Sequence, residues 1–369
     1  MARTRRLAVF AATSGHSGVD RNLRNLVPAF AARGVAVDVL HIKNHGPNLT
    51  DLPDNARVVE LGVAHVHTSL FALSRYLRAA RPDALLADKD KVNRTALLAR
   101  RLARVPTRIA VRLGIHVSTN LAQRSLWQRW VQTQSIRRYY PKADVIVVPS
   151  DGVADDLAAL GRLARARITV IPNPIVTPAL LTRAAESPGH PWFEDATIPV
   201  VLGVGELSER KDFETLIRAV SLVRRSRPCR LVILGRGKQR ETLLALGARL
   251  GLADHMDLPG FVDNPYAYMR RAAVFANTSR LEGFANVVAE ALAVGTPVVA
   301  TDCHSGPREI LEHGRNGKLV PVGDAEALAL AILATLADPP LPERLRSAAA
   351  RYSIDTIADR YLEALGLNG

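Results

Sequence analysis

The sequence predicts an α/β protein of two doubly wound domains, and three observations carry that prediction. Short apolar runs alternate with helical stretches through the first half of the 369 residues. The same alternation begins afresh in the second half. Between the halves lies a stretch dense in proline (Pro172, Pro174, Pro178, Pro188 and Pro191), which resists regular structure and reads as a linker. Alternating strands and helices favour parallel sheets covered by helices on both faces.

In chain order, apolar runs at residues 7–12, 35–41, 84–87, 108–111 and 145–148 read as buried parallel strands. Residues 20–33 and 94–104 read as helices between them. In the second half, residues 200–204, 231–234, 274–276, 298–300 and 318–320 read as strands. Residues 213–225, 240–250, 286–294 and 325–336 read as helices. The expected division is a first domain at 1–178, a second at 179–345, and a terminal helix within 346–369 that crosses back to the first. Two such Rossmann-like domains are expected to face a cleft, because ligands of open α/β sheets bind beyond the carboxyl ends of the strands.

Composition narrows the function. The longest apolar run, residues 327–334, is under half the length of a membrane span. The apolar stretch near the start is too short for a secretory signal core. Cys229 and Cys303 lie far apart, which argues against a disulfide framework or a cysteine zinc site and fits a reducing cytoplasm. The net charge of +14 is unevenly spread. Residues 1–175 hold 27 Lys and Arg against 12 Asp and Glu, a surplus of 15 positive charges. Residues 176–369 hold 22 against 23, which is nearly neutral. The first half is therefore the half expected to meet an anionic partner, nucleic acid or an anionic membrane surface.

Glu282 and Glu290 carry the most chemical information. They stand eight positions apart, the first behind a Gly283-Phe284 turn and the second within an apolar helix. Two carboxylates so placed suit a ligand rich in hydroxyl groups, such as a sugar. Read without context they resemble the acid and nucleophile pair of a glycosidase. Their surroundings argue otherwise, since one lies in a loop and the other on a helix whose N-terminus can face phosphate. Arg210 and Lys211 follow the strand at 200–204, in a polar turn after Gly205, where two cations can neutralise a diphosphate. An exposed basic turn that caps the next helix is the plainer reading of the same pair.

Several segments resemble the retaining GT-B glycosyltransferases of group 1, family 4. They are Gly203 to Lys211, Leu234 to Gly237, Pro259 to Phe261, Ser279 to Phe284, Glu290 to Pro297 and Thr301 to Glu309. Order and spacing match across about residues 200–325. The first half resembles the family more loosely, through Ser17 to Asp20, Lys89 to Asn93, Pro141 to Asp144 and Ile171 to Pro174. The resemblance implies that Arg210 and Lys211 hold the donor diphosphate, that Glu290 binds ribose and that Glu282 binds the donor sugar. Backbone from Gly283 through Phe284, Ala285, Asn286 and Val287 assists, with Gly18, Gly205, Phe261 and Val262 also lining the donor. Arg112 and His116 are expected in the polar cluster below donor sugar and acceptor, with Lys89 and Asn93 on the acceptor side. Relatives often carry Arg where this chain has Glu206, and two adjacent glycines where it has Ser17 and Gly18. Arg236 is a candidate to replace the missing cation.

The reaction so implied moves a sugar from a UDP- or GDP-linked donor to an acceptor hydroxyl with retention, no cofactor and no metal. Residues 121–140 mix Trp and Arg at helical spacing, as in a basic helix on a membrane surface. With the basic first half, this favours a glycan or lipid-linked acceptor of lipopolysaccharide or exopolysaccharide synthesis, met by a cytoplasmic protein at the inner membrane face. Tryptophans packed into the domain are the bland alternative. A sugar-nucleotide epimerase or a non-catalytic nucleotide-sugar-binding protein keeps the same fold with other chemistry. Specific nucleic-acid binding is not expected, for want of a recognition motif.

Overall fold

The computed structural model describes residues 4–13, 15, 18–122, 124–195 and 197–368. Ser17, expected near the donor loop, lies outside the described residues. The chain divides into two compact units, one formed by residues 1–174 with 354–369 and the other by residues 175–353. Each is a parallel sheet flanked by helices.

Unit 1 begins β1 (Arg6–Ala11), α1 (Gly18–Ala32), β2 (Ala36–His41), β3 (Ala56–Glu60) and α2 (Ser69–Ala80). It continues β4 (Ala84–Asp88), α3 (Asp90–Ala103), β5 (Arg108–Arg112), α4 (Val117–Ala122) and α5 (Leu126–Tyr139). It closes with β6 (Val145–Val148), α6 (Asp151–Gly161) and β7 (Ile168–Val170). The seven strands run in the order β3-β2-β1-β4-β5-β6-β7, all parallel. The order reverses between β1 and β4, the switch point at which a doubly wound sheet opens a crevice.

Unit 2 contains α7 (Pro178–Ala185), β8 (Val200–Val204), α8 (Phe213–Arg224), β9 (Arg230–Leu234), α9 (Arg240–Arg249) and β10 (Met256–Gly260). There follow α10 (Pro265–Arg271), β11 (Val274–Asn277), α11 (Asn286–Val294), β12 (Val298–Thr301), α12 (Pro307–Ile310), β13 (Lys318–Val320), α13 (Ala325–Ala337) and α14 (Pro342–Ala349). Its six parallel strands run β10-β9-β8-β11-β12-β13, with the switch point between β8 and β11. The terminal helix α15 (Ile354–Leu365) belongs to unit 1.

The central strands form where the sequence is apolar without a break. Every residue of β4, β6, β11 and β12 is buried, because helices cover both faces of each sheet. Three strands escape the apolar pattern: β3, β7 and β10. All three are sheet edges, paired on one side only. Edge strands need less apolar sequence, and β10 even carries Pro259, which a central strand would not accommodate.

The prolines between the units start helical turns as well as breaking them. Pro178 opens α7, whose first turn is capped by Thr177 accepting from the Leu180 N–H at 2.9 Å. The boundaries fall at 174/175 and 353/354, whereas the sequence expectation set them at 178/179 and 345/346. Leu345 and Ala349 of α14 are buried in the core of unit 2, which keeps that helix there. Ile357, Ala358, Tyr361, Leu362 and Leu365 of α15 are buried in unit 1 with α1 residues Leu26 and Phe30. Burial of each large side chain is worth about 1.5–3 kcal/mol, so this helix is a structural part of unit 1. No single helix among the described residues is long and apolar enough to cross a membrane.

Candidate active site

Unit 2 gathers charge at its switch point. Gly205 to Asp212 leave β8, and Thr278 to Ala285 leave its neighbour β11. Gly205 has no side chain where the Lys211 stem crosses it; an added Cβ would stand 3.1–3.3 Å from three Lys211 methylenes. The stem is thereby directed inward, and Lys211 Nζ reaches Glu282 Oε1 at 2.5 Å. Arg210 Nη1 lies 3.4 Å from Glu282 Oε2. The Ser279 hydroxyl sits 2.6 Å from Glu282 Oε1. Lys211 and Glu282 are both under 10% exposed, while the Arg210 side chain is 43% exposed. Burial alone would favour the neutral Glu282 carboxyl. Lys211 and Arg210, with hydrogen bonds from Lys211 and Ser279, overcome it and hold that group below the usual glutamate range.

Backbone ties keep these loops in register. The Thr278 hydroxyl donates to the Lys211 carbonyl at 2.9 Å, and the Arg280 N–H donates to the Arg210 carbonyl at 2.9 Å. Arg280 also pairs with Asp212 at 2.9 Å. From the next strand, β12, Ser305 donates to the Glu282 carbonyl at 2.5 Å. Gly306 then passes so close to Phe284 that an added Cβ would stand 2.6 Å from the Phe284 carbonyl oxygen. Ala285 begins α11 in the left-handed region, at φ 65° and ψ 62°, with no side-chain cap. The positive end of the α11 dipole is thereby set beside the Glu282 loop. Gly283, Asn286 and Val287 are partly exposed there, Phe284 and Ala285 are buried, and Glu290 is buried on the inner side of α11 at 2% exposure.

The neighbouring strand ends add an aromatic platform. The Arg236 guanidinium lies 5.4 Å from the centroid of the Phe261 ring, which is 59% exposed. Val262 is half-buried beside it. Gly235 and Gly237 allow this loop to touch the one after β8, since an added Cβ would meet the Gly205 and Leu207 carbonyl oxygens at 1.8 and 2.2 Å. Glu206, where relatives often have Arg, is exposed and lies 4.0 Å from Arg210.

Unit 1 treats its expected site residues differently. Arg112, the last residue of β5, is 3% exposed. Its Nη1 pairs with Asp88 at 2.5 Å, Nη2 donates to Asn173 at 2.6 Å and Nε donates to Tyr361 at 3.0 Å. Burial works against its charge, and Asp88 and the Tyr361 hydroxyl outweigh that, raising its pKa. Asn93 is fully buried and donates to the Arg112 carbonyl and the Tyr140 hydroxyl at 2.9 and 3.0 Å. The sequence expectation places Arg112 and Asn93 at the acceptor; both are buried in this structure. Their polar groups are directed inward, where they join β5 to α3, Asn173 and α15.

Lys89 does face outward, and it stands at the switch point after β4. Its backbone, at φ 87° and ψ 142°, occupies a region that favours glycine. Gly18 is exposed at the start of α1, with open space where a side chain would stand. His116 follows β5, half-buried. Its Nδ1 lies 3.4 Å from Asp156, which also accepts the Val117 and Ser118 N–H groups, so the ring is oriented by the cap of α4. Among the described residues, no three His, Cys, Asp or Glu side chains gather as a metal-ligand set.

Sequence reasoning gave no individual role to Ser279, Asp88 or Asp156. Ser279 stands three residues before Glu282 in a turn and reads as a loop serine. The two aspartates signal themselves only through buried partners distant in sequence.

Comparison with known proteins matches both units to one family. The model described as glycosyl transferases group 1 matches residues 190–352, and the one described as glycosyl transferase 4-like domain matches residues 17–174. The lipopolysaccharide core biosynthesis glycosyltransferase LpsE of Rhizobium meliloti is 34% identical over 232 residues, 62% of this chain and 65% of that protein. The N-acetylgalactosamine-N,N'-diacetylbacillosaminyl-diphospho-undecaprenol 4-alpha-N-acetylgalactosaminyltransferase of Campylobacter jejuni is 35% identical over 211 residues, 57% of this chain and 54% of that protein. The chain thus spans just under two thirds and about half of the lengths of these two relatives. Among solved structures, Anabaena HepE in complex with UDP aligns over 98% of this chain and 100% of its own, with a TM-score of 0.76 and 19% identity. Two parallel α/β units matching a GT-B glycosyltransferase structure, with family models on both, establish that this chain belongs to the group 1, family-4-like glycosyltransferases.

Proposed function

We propose that this protein transfers a sugar from a nucleotide diphosphate donor, UDP- or GDP-linked, to a hydroxyl of a growing cell-surface glycan. The observation that carries this reading is the convergence of Arg210, Lys211 and Glu282 on the switch point of unit 2, within the half that matches the group 1 model. Two cations there suit a diphosphate. Glu282, ionised and aimed into the same loop, suits the hydroxyls of the attached sugar. The α11 N-terminus adds a positive field for the leaving oxygens. Glu290 is assigned to the ribose, and the Phe261 platform with Val262 to the base end of the donor.

The reaction is proposed to retain the anomeric configuration. The bond from the sugar C1 to the diphosphate breaks, and the acceptor oxygen bonds C1 on the same face. The acceptor proton passes to the departing diphosphate, so no protein base is required. Arg210 and Lys211 take the role that a divalent cation plays elsewhere. In unit 1, Lys89 and His116 are the residues proposed to meet the acceptor, and Gly18 to line the donor. The relatives named for lipopolysaccharide core synthesis and for a diphospho-undecaprenol acceptor support a lipid-linked glycan, and the surplus of 15 positive charges in residues 1–175 supports meeting it at an anionic membrane surface, proposed on the cytoplasmic side.

The test incubates the protein with labelled nucleotide sugars and lipid-linked acceptors, and reads transfer and product anomery by NMR. Transfer with retention, undiminished by a chelator and lost in a folded Glu282→Ala variant, supports the reading. Full activity in that variant contradicts the site, and an inverted product contradicts the mechanism.

A further inference from the structure

The N-terminal half of α5 gathers exposed apolar side chains. All residues from 124 to 131 are exposed, so this part of the helix projects from the body. Leu126, Trp127, Trp130 and Val131 are 79, 69, 56 and 37% exposed. On a helix, positions i, i+1, i+4 and i+5 form one stripe. The two indoles stack within it, with ring centroids 5.2 Å apart and planes at 22°. Ile136, which anchors the helix, is buried on the opposite side. The stripe therefore faces away from the body, and no side chain of the core covers it.

Charge indicates what does cover it. Residues 91–143 contain twelve Lys and Arg and no Asp or Glu. Arg124 precedes α5, and Arg129, Arg137 and Arg138 lie on it. Arg138 is exposed and falls on the same side as the tryptophans by helical spacing. Helix α3, which packs against α5, adds the exposed Arg101, and Arg104 follows it. A second copy of this chain would bring the same arginines against themselves. A surface that is apolar just below a layer of negative charge meets both features. Tryptophan favours that boundary, and arginine favours anionic headgroups.

We infer that the Leu126–Trp127–Trp130–Val131 face of α5, with Arg138 on the same side, docks this protein on the anionic lipid surface of a bilayer. The tryptophans enter the headgroup boundary and Arg138 pairs with lipid phosphates. This deepens the membrane-surface part of the proposed function and rests on it, but it requires no turnover. It also accounts for a helix of alternating Trp and Arg whose apolar residues lie on two opposite sides, one inward and one outward.

The test is co-sedimentation of the full chain with vesicles of equal parts phosphatidylcholine and phosphatidylglycerol, and with pure phosphatidylcholine. The wild type is expected to pellet with the anionic vesicles and not with the neutral ones. Trp127→Gln with Trp130→Gln is expected to weaken that binding about tenfold or more. Arg138→Gln is expected to weaken it by a smaller factor and to flatten its salt dependence. In a Trp192→Phe background, emission from the remaining two tryptophans is expected to shift to the blue on vesicle binding. Thermal stabilisation by UDP or GDP, whichever the wild type binds, measured in each variant, reports that the fold and the donor loops are intact. If wild type and the Trp variant pellet equally, the membrane reading stands and this face is overturned. If the wild type pellets with neither vesicle, the membrane reading itself fails. A wild-type dimer that the Trp substitutions dissociate would make a second copy the occupant and overturn the proposal.

Discussion

The two switch points of this protein share a topology and differ in what their charged residues do. At the switch point of unit 2, Lys211, Arg210 and Glu282 hold one another, and Arg210 remains open to solvent. In unit 1, Arg112 and Asp88 stand at the ends of adjacent strands, and both are sealed inside with Asn173 and Tyr361. One set of charges lies where the loops after β8 and β11 leave the sheet, with Arg210 open to solvent. The other is spent on the scaffold, fastening the terminal helix α15 to the sheet. A basic residue after a parallel strand is thus no guide to its role until its partners are known.

The comparison breaks most readily at Arg112. Arg112→Met leaves Asp88 buried without its counter-charge, and removing one member of a buried pair costs about 3–5 kcal/mol. A large fall in Tm is expected, with UDP binding to the folded fraction unchanged. An unchanged Tm with a raised KM for the acceptor would return Arg112 to the acceptor site. Next is Lys211→Met, which keeps the stem over Gly205 and removes the charge. Transfer is expected to fall by about 10²–10³, the size found when one transition-state donor is deleted. Steady-state kinetics on the folded variant reads the effect in kcat.

Lys89→Gly sharpens the comparison from the unit 1 side. Relief of its backbone is expected to raise stability by about 1 kcal/mol, since a residue held in such a region costs roughly 1–3 kcal/mol and glycine returns part of that as entropy. Calorimetry reads the gain, and a weaker acceptor KM reads the loss of the cation. A gain in stability with unaltered kinetics would make Lys89 a mere turn residue.

Acid separates the two sets further. The folded pKa of Glu282 is lowered, so its ion pairs contribute fully above the unfolded glutamate value, about 4.3. Their contribution is lost as pH falls from there through the lower folded value. Glu282→Gln is therefore expected to destabilise the protein at neutral pH and to flatten its loss of stability with acid, followed by circular dichroism. The smallest effect concerns Cys303, which sits beyond β12 near Glu282. Burial, and then the Glu282 charge, push its thiol up to about 12. Iodoacetamide is expected to modify it only on unfolding, because the thiolate is the reactive form.

Legibility in the sequence follows the same division. Central strands are readable because burial on both faces demands unbroken Val, Ile and Leu, as in residues 145–148. The edge strands β3, β7 and β10 carry no such demand and stay hidden. Arg210, Lys211 and Glu282 are readable as a set because close backbone approach requires small residues beside them, at Gly205, Gly237 and Gly306, and this leaves a spaced motif. The burial of Arg112 and Asn93 is not legible because their partners, Asp88, Asn173, Tyr140 and Tyr361, are scattered along the chain. The Trp and Arg content of α5 is plain in the sequence. That its stripe faces outward depends on which side Ile136 buries, and only the packed fold decides that.

The central claim is that unit 2 holds the donor diphosphate on Arg210 and Lys211. Calorimetric titration of UDP and GDP into wild type, Lys211→Met and Arg112→Lys tests it most directly. The account predicts binding of one of the two nucleotides by wild type and Arg112→Lys alike, with affinity reduced about tenfold or more in Lys211→Met, as expected for loss of a charge-assisted contact. Equal affinity in wild type and Lys211→Met would contradict it.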